Sequence, residues 1–171
     1  MKAYAENETS RFNISMENYF NESIKQQNKQ SNFDIFLSHS SKDQTLILGI
    51  KKFIEESGYS VYIDWVDDPQ LDRANVNVQT ADVLRARMRQ SKFLVYVDSN
   101  NATTSKWMPW ELGYFDGFKP KKIGILPIKN KTEDTYIGQE YLGLYPVIEK
   151  AYAFNDWKNS RISNEFFYNY F

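Results

Sequence analysis

The 171-residue sequence has no cysteine, which excludes disulfide bonds and thiolate metal sites. It has a single histidine, His39, so no metal site can be assembled around histidine ligands. No run of about eighteen apolar residues occurs, and residues 1–30 are polar, which disfavours membrane spanning and secretion. The net charge of −1 with interspersed signs indicates no face for nucleic acid. We therefore expect a cytoplasmic globular protein, whose 42% hydrophobic residues suffice for a core.

Glycine is scarce as well, with seven residues in the whole chain. None of them forms a Gly-x-Gly-x-x-Gly loop or a Gly-Lys-Ser/Thr loop. Such loops bring backbone N–H groups close to phosphates, so their absence disfavours a redox dehydrogenase and a nucleoside triphosphatase.

The composition changes near residue 32. Residues 1–31 are rich in Asn, Gln, Glu, Lys and Ser and have only a weak apolar pattern. We predict that they form a polar arm, partly helical or disordered, and that residues 32–171 form the folded domain. Whether the arm is a loosely docked terminus or a contact for assembly or a partner stays open.

Residues 32–171 read as strands that alternate with helices. The short apolar runs are β-branched and aromatic, whereas the segments between them carry apolar residues at helical spacing. This alternation predicts a parallel sheet covered on both faces, with the first strand near its centre because that strand is apolar throughout. Strands are predicted at residues 33–38, 59–64, 91–98, 121–128 and 142–148, and helices at 44–57, 78–90, from about 106, and 154–171.

The stretch around Trp107 and Glu111 carries the strongest chemical signal. Pro109 is tolerated in the first turn of a helix, and a helix that starts nearby projects Trp107 and Glu111 from one face. The helix follows a predicted strand, so both side chains lie at the carboxyl edge of the sheet, where ligands bind in open α/β folds. Glu111 also suits a purely structural role, because an acidic residue in a first turn complements the helix dipole.

Three segments together resemble the Toll/interleukin-1 receptor (TIR) domain family, in particular its bacterial, NAD-cleaving branch. They are residues 33–43 (FDIFLSHSSKD), residues 61–64 (VYID) and the group Ser105, Trp107 and Glu111. The resemblance covers residues 32–148 and implies a flavodoxin-like three-layer sandwich with a five-stranded parallel sheet. It also implies cleavage of the nicotinamide–ribose bond of NAD+. Some relatives, in the antiphage Thoeris systems, cyclise the remaining ADP-ribose into a signal that activates an effector protein.

The resemblance implies a role for each residue of the site. Nicotinamide is already a cationic leaving group, so the bond can break without a general acid if the oxocarbenium-like ribose is stabilised. Glu111 is the implied catalytic residue, and NAD+ is a substrate, with no other cofactor and no metal. Assembly with further copies through TIR contacts is also implied. The residues expected to bind substrate are Trp107, Ser38, His39, Ser40, Asp64 and Trp65.

Two other functions remain open at this point. One is a non-enzymatic TIR adaptor that recruits another TIR domain, although intact Trp107 and Glu111 argue against it. The other is an enzyme like the nucleoside deoxyribosyltransferases, which share the sheet and also use a glutamate.

The charged residues outside the predicted site are interpreted as surface. The long loop at residues 65–77 is expected to be a mobile lid. Its acidic residues are expected to be solvated: Asp67, Asp68 and Asp72. The arginines of helix 78–90 are expected to face solvent or to contact the phosphates of the dinucleotide: Arg85, Arg87 and Arg89.

Overall fold

A computed structural model describes residues 32–128 and 139–148, so the predicted arm (1–31) and the predicted closing helix (154–171) lie outside the described residues. Within these ranges, each helix is too short or too polar to cross a membrane. The described residues include 3-10 turns at Ser41–Asp43, Ala102–Thr104 and Glu140–Leu144. The strands and helices are β1 (Phe33–Ser38), α1 (Gln44–Glu56), β2 (Val61–Tyr62), α2 (Asp64–Asp67), α3 (Val78–Gln90), β3 (Ser91–Asp98), α4 (Met108–Phe118) and β4 (Ile123–Pro127).

The described strands form one parallel sheet in the order β2-β1-β3-β4. Ile35 of β1 lies opposite Val61 on one side and Phe93 on the other, so β1 is an interior strand, as predicted. Pro127 is the last residue of β4, which lies at one edge of the described sheet. A proline at that position removes no hydrogen bond from an interior ladder.

The prediction of a fifth strand at residues 142–148 is wrong for most of that segment. The 3-10 turn Glu140–Leu144 takes up its first half. Pairing with β4 is limited to a bridge between Val147 and Ile125, where the N–H of Ile148 donates to the carbonyl of Ile125 at 2.7 Å. Pro146, which precedes the bridge, has no N–H to donate, so a regular ladder cannot extend through it.

Two hydrophobic layers cover the sheet, because successive residues of a strand point to opposite faces. One layer packs under α1 and the other under α3 and α4, which gives the three-layer α/β sandwich that the sequence predicted. The α1 layer includes Ile35, Leu37, Ile47, Ile50 and Val95, and the α3/α4 layer includes Phe36, Leu84, Met88, Tyr96, Leu112 and Phe115.

The carboxyl ends of the strands bring the predicted site together at one edge. Ser38 ends β1, and Asp64 begins the single-turn helix α2 just after β2. The predicted loop is therefore shorter than expected, since α2 occupies its start and irregular chain remains at residues 68–77.

Candidate active site

Glu111 lies in the first turn of α4, and its position follows from the local sequence. Trp107 is the N-cap residue, Pro109 occupies the first turn, and the N–H of Glu111 donates to the carbonyl of Trp107 at 2.8 Å. The Glu111 side chain is 1% exposed. Ser38 Oγ donates a hydrogen bond to Glu111 Oε2 at 2.6 Å, which joins the helix to the end of β1.

The second oxygen of Glu111 is held by Arg73, from the loop at residues 68–77. Arg73 Nη1 donates to Glu111 Oε1 at 2.7 Å, and Arg73 Nε lies 2.8 Å from Asp64 Oδ2. The guanidinium carbon is 5.6 Å from the centre of the Trp107 ring, and Trp107 Nε1 donates to the Arg73 carbonyl at 3.1 Å. One cation therefore bridges two buried carboxylates against an indole wall.

Electrostatics keep Arg73 charged in this position. Burial acts against the charged form, but the carboxylates of Glu111 and Asp64 outweigh it and raise the pKa of Arg73 above its usual value. Arg73 thus offsets the formal charge of one of the two carboxylates that it bridges.

His39 is fixed by its neighbours at the same edge. Its Nδ1 lies 2.7 Å from the carbonyl of Leu37, and its Nε2 accepts a hydrogen bond from Trp65 Nε1 at 2.9 Å. A neutral imidazole protonated on Nδ1 satisfies both contacts. His39 Nε2 also lies 3.3 Å from Asp64 Oδ1, and this oxygen receives no hydrogen bond from the described part of the chain.

Ser40 has a different set of contacts from Ser38. It is the N-cap of the turn Ser41–Asp43, and its Oγ accepts from the N–H of Lys42 at 3.4 Å. The structure thus joins Ser38, Trp107, Asp64 and Glu111 directly or through Arg73. His39 and Trp65 lie one contact further out, and substrate binding by each of these residues, as by Ser40, stays a prediction.

Arg73 is the member of this site that sequence reasoning missed. It stands alone in a polar loop, and its partner Glu111 is 38 residues further along the chain. No local spacing signals such a pairing, because periodicity reports only which residues share a face within one helix or strand. The only signal in the sequence was the length of the predicted loop at residues 65–77, which indicated a functional segment.

The prediction that Asp68 is solvated is wrong. Asp68 is buried, and Arg87 donates to its two oxygens from Nε (2.8 Å) and Nη2 (2.9 Å). Tyr62 Oη donates to Asp68 Oδ2 at 2.9 Å. Burial raises the pKa of Asp68, but the hydrogen bonds from Arg87 and Tyr62 outweigh it, so the pKa is lowered. Asp72 is exposed, as predicted.

The arginines of α3 cover aromatic rings instead of reaching the pocket. The guanidinium of Arg87 lies 5.7 Å from the Tyr62 ring, and that of Arg85 lies 5.3 Å from the Trp110 ring. Arg89 is 6.0 Å from the ring of Tyr114. Arginine stems and planar heads commonly cover aromatic surface in this way, and the prediction that Arg87 faces solvent is wrong.

The geometry defines a class of site. Within the described ranges, no group of three His, Asp or Glu side chains converges as a metal site. What the pocket offers is a buried carboxylate, a hydroxyl and an indole at the carboxyl edge of a parallel sheet. Such a pocket can bind a sugar ring through its hydroxyls and stabilise positive charge at its anomeric carbon.

Comparisons with known proteins agree with this class. A TIR domain family model matches residues 35–159. A "Probable 3' cyclic ADP-D-ribose synthase ThsB'" from Bacillus cereus (strain MSX-D12) is 50% identical over 144 residues, which is 84% of this chain and 74% of the relative. The chain belongs to the TIR domain family, and the predicted family and three-layer α/β fold class are confirmed, with four of the five predicted strands in the described sheet.

Two further proteins are similar to this chain, one over a shorter segment and the other at a lower sequence identity. A protein from Cytobacillus dafuensis, provisionally named cyclic ADP-D-ribose synthase TIR2, is 40% identical over 94 residues, and the chain spans about a quarter (24%) of its length. The crystal structure of the TIR domain of the Toll-related receptor TRR-2 from Hydra magnipapillata covers 68% of this chain and 84% of its own, with 15% identity and a TM-score of 0.49.

Proposed function

We propose that this chain is an NAD+ nucleosidase and cyclase of the TIR type. It cleaves the nicotinamide–ribose bond and produces ADP-ribose or a cyclic ADP-ribose-type signal in bacterial antiphage defence. The observation that carries the proposal is the buried Glu111, held by Ser38 beside Trp107 at the carboxyl edge of the sheet. The name of the ThsB' relative, a cyclic ADP-D-ribose synthase, supports the same reaction.

The chemistry requires little beyond this carboxylate. When the N-glycosidic bond breaks, nicotinamide leaves with the bonding electrons and becomes neutral, and the ribose becomes oxocarbenium-like. Glu111 accepts hydrogen bonds from ribose hydroxyls and offsets the positive charge, while Ser38 orients the carboxylate. Trp107 forms an apolar wall of the pocket and is 4% exposed.

The nucleophile decides the product. Water adds to the anomeric carbon and loses a proton to give ADP-ribose, whereas a hydroxyl of the same ADP-ribose does so to give a cyclic product. The burial of Glu111 and Trp107 limits access of water to the ribose, which favours the cyclic product.

The partners form part of the proposal. An effector protein is activated by the nucleotide product, and copies of this chain associate through TIR contacts. The exposed side chains of Val76 (69%) and Val78 (70%), at the end of the loop that carries Arg73, support a contact at this position.

Product analysis tests this function. The purified full-length chain is incubated with NAD+ or with deoxynucleosides, and nicotinamide and nucleotide products are identified by mass spectrometry. Glu111→Gln, purified in parallel, controls for contaminating enzymes. We expect nicotinamide and a product that lacks one water relative to ADP-ribose. Base exchange between deoxynucleosides would favour the transferase function, and inactivity on both substrates, at high protein concentration as well, would favour an adaptor.

A further inference from the structure

Both oxygens of the proposed catalytic carboxylate are already occupied. Ser38 holds Glu111 Oε2 at 2.6 Å, and Arg73 holds Oε1 at 2.7 Å. The contact with Ser38 leaves the charge of Glu111 unchanged, whereas Arg73, which Glu111 shares with Asp64, offsets part of that charge. The two carboxylates and the one guanidinium keep one net negative charge, but neither oxygen of Glu111 is free to offer its charge to a second cation.

The proposed reaction needs that charge. An oxocarbenium-like ribose beside Glu111 would lie next to the guanidinium of Arg73, and two like charges at such distances repel each other strongly in a buried site. The indole that would line the ribose site is covered as well, because the guanidinium lies over Trp107 at 5.6 Å. Substrate and Arg73 cannot use the same face of Glu111 together.

We propose that Arg73 competes with the substrate for Glu111, and that substrate binding moves its guanidinium from Glu111 onto Asp64. This inference rests on the proposed function. Arg73 is a positioning residue in this scheme, since it acts by controlling whether Glu111 is available.

Asp64 has the acceptor that this movement requires. Its Oδ2 already lies 2.8 Å from Arg73 Nε, while its Oδ1 receives no hydrogen bond from the described residues although Asp64 is only 4% exposed. A buried oxygen without a donor is costly. If the guanidinium turns so that both Asp64 oxygens face its fork, the pair becomes bidentate and Glu111 is released.

The backbone of the loop can stay in place during this change. Trp107 Nε1 donates to the Arg73 carbonyl at 3.1 Å, and the Thr80 hydroxyl donates to the carbonyl of Asp72 at 3.0 Å. These two contacts hold the main chain on both sides of the Arg73 side chain. Only the guanidinium therefore needs to move, over the distance between two neighbouring carboxylates.

Two substitutions should change the kinetics in opposite directions. Arg73→Met removes the competitor, so kcat/KM for nicotinamide release from NAD+ should rise about 10-fold, which corresponds to one hydrogen bond to a charged group. Asp64→Asn weakens the alternative position of the guanidinium and should lower kcat/KM. In the Arg73→Met background, Asp64→Asn should lower kcat/KM by a smaller factor, because the part of its effect that acts through Arg73 is gone.

Arg87→Met is the matched control, because it removes the partly exposed arginine of α3 that pairs with Asp68 at the start of the same loop, without touching Glu111. It should lower the melting temperature and leave kcat/KM unchanged. Arg73→Lys keeps the charge but cannot bridge both carboxylates with a planar fork. It should give an intermediate rise and replaces Arg73→Met if that variant fails to fold.

The outcomes separate this inference from the proposed function. Activity gained by the Arg73 variants over the wild type supports the competition, even if the wild type is silent. An active wild type whose Arg73 variants have unchanged or lower kcat/KM overturns the competition alone. An equal effect of Asp64→Asn with and without Arg73 overturns it as well. If every protein fails to release nicotinamide, both the function and the competition are wrong.

Discussion

Two arginine–carboxylate clusters hold the loop at residues 68–77, one at its start and one near its middle, and they are built differently. In the anchor cluster (Arg87, Asp68, Tyr62), the guanidinium reaches both oxygens of Asp68 and Tyr62 adds a hydrogen bond. In the pocket cluster (Arg73, Asp64, Glu111), the guanidinium is divided between two carboxylates, and Asp64 Oδ1 receives no hydrogen bond from the part of the chain that the structure describes. A guanidinium that binds both oxygens of one carboxylate has one best geometry. A guanidinium that is shared between two carboxylates can rearrange at low cost.

Burial alone does not distinguish the two clusters. Asp68 is 6% exposed and Asp64 is 4% exposed, so both residues are almost completely excluded from solvent. What distinguishes them is how the hydrogen-bond acceptors are satisfied and where the clusters lie. The pocket cluster is at the carboxyl ends of β1 and β2 beside the start of α4, where a ligand can enter. The following predictions test this contrast.

The largest effect is expected from Glu111→Gln in the pocket cluster. The substitution keeps the size of the side chain but removes the charge that faces the ribose, so nicotinamide release should fall by about 100- to 1000-fold. The matched change in the anchor cluster, Asp68→Asn, should reduce stability and leave turnover of the folded protein unchanged. Initial rates and melting temperatures of both variants provide the measurement. Comparable losses of turnover would remove the contrast between the clusters.

Arg87→Met should have the largest effect on stability. It leaves Asp68 buried and partly unpaired, which we expect to cost about 2–3 kcal/mol, less than a fully buried pair because Arg87 is partly exposed. For a chain of this size the melting temperature should fall by roughly 5–10 °C. Thermal unfolding checks this, and a fall of less than about 1 °C would show that the anchor cluster is not structural.

Ser38→Ala should weaken the pocket cluster moderately. It removes the hydroxyl that orients Glu111 Oε2, and loss of one hydrogen bond to a charged group should lower kcat/KM about 10-fold. Ser91→Ala is the control, because Ser91 is equally buried but lies at the start of β3 and donates to the carbonyl of Arg87 at 2.9 Å. Steady-state kinetics of the two variants should differ; equal values would mean that Ser38 does not act on Glu111.

The smallest effect concerns Asp67, which lies between the two clusters. Burial is the main cause that raises the pKa of Asp67 to about 7, while the hydrogen bond from the N–H of Ile63 acts in the opposite direction. The folded state therefore keeps a proton that the unfolded state loses above about pH 4. This contribution to stability is complete at low pH and is lost as the pH rises from about 4 to about 7.

Asp67→Asn removes this contribution. Between pH 4 and pH 7, the melting temperature of the wild type should decline relative to that of the variant, by an amount equivalent to about 1 kcal/mol after screening by solvent. Melting curves of both proteins across this range provide the measurement. Parallel curves would show that Asp67 does not titrate in this range.

The sequence alone predicted those features that depend on neighbouring residues. The apolar run of β1 indicated an interior strand, and the Trp107–Glu111 spacing after Pro109 placed a carboxylate and an indole at the start of a helix. The order of strands and helices placed this helix at the carboxyl edge, where the structure brings Ser38 to Glu111 at 2.6 Å. Periodicity and proline geometry act within a few residues, so they can be read before the chain is folded.

Tertiary structure decided which charges pair. Asp67, Asp68 and Asp72 look alike in the sequence, yet the structure leaves Asp72 exposed, buries Asp68 under Arg87 and raises the pKa of Asp67. No sequence pattern links Arg73 to Glu111. They meet only because the loop that carries Arg73 passes over the edge of the sheet where Glu111 lies. Energies of charged groups depend on burial and on partners that are distant in the chain, and those exist only once the sheet and its covering helices have formed.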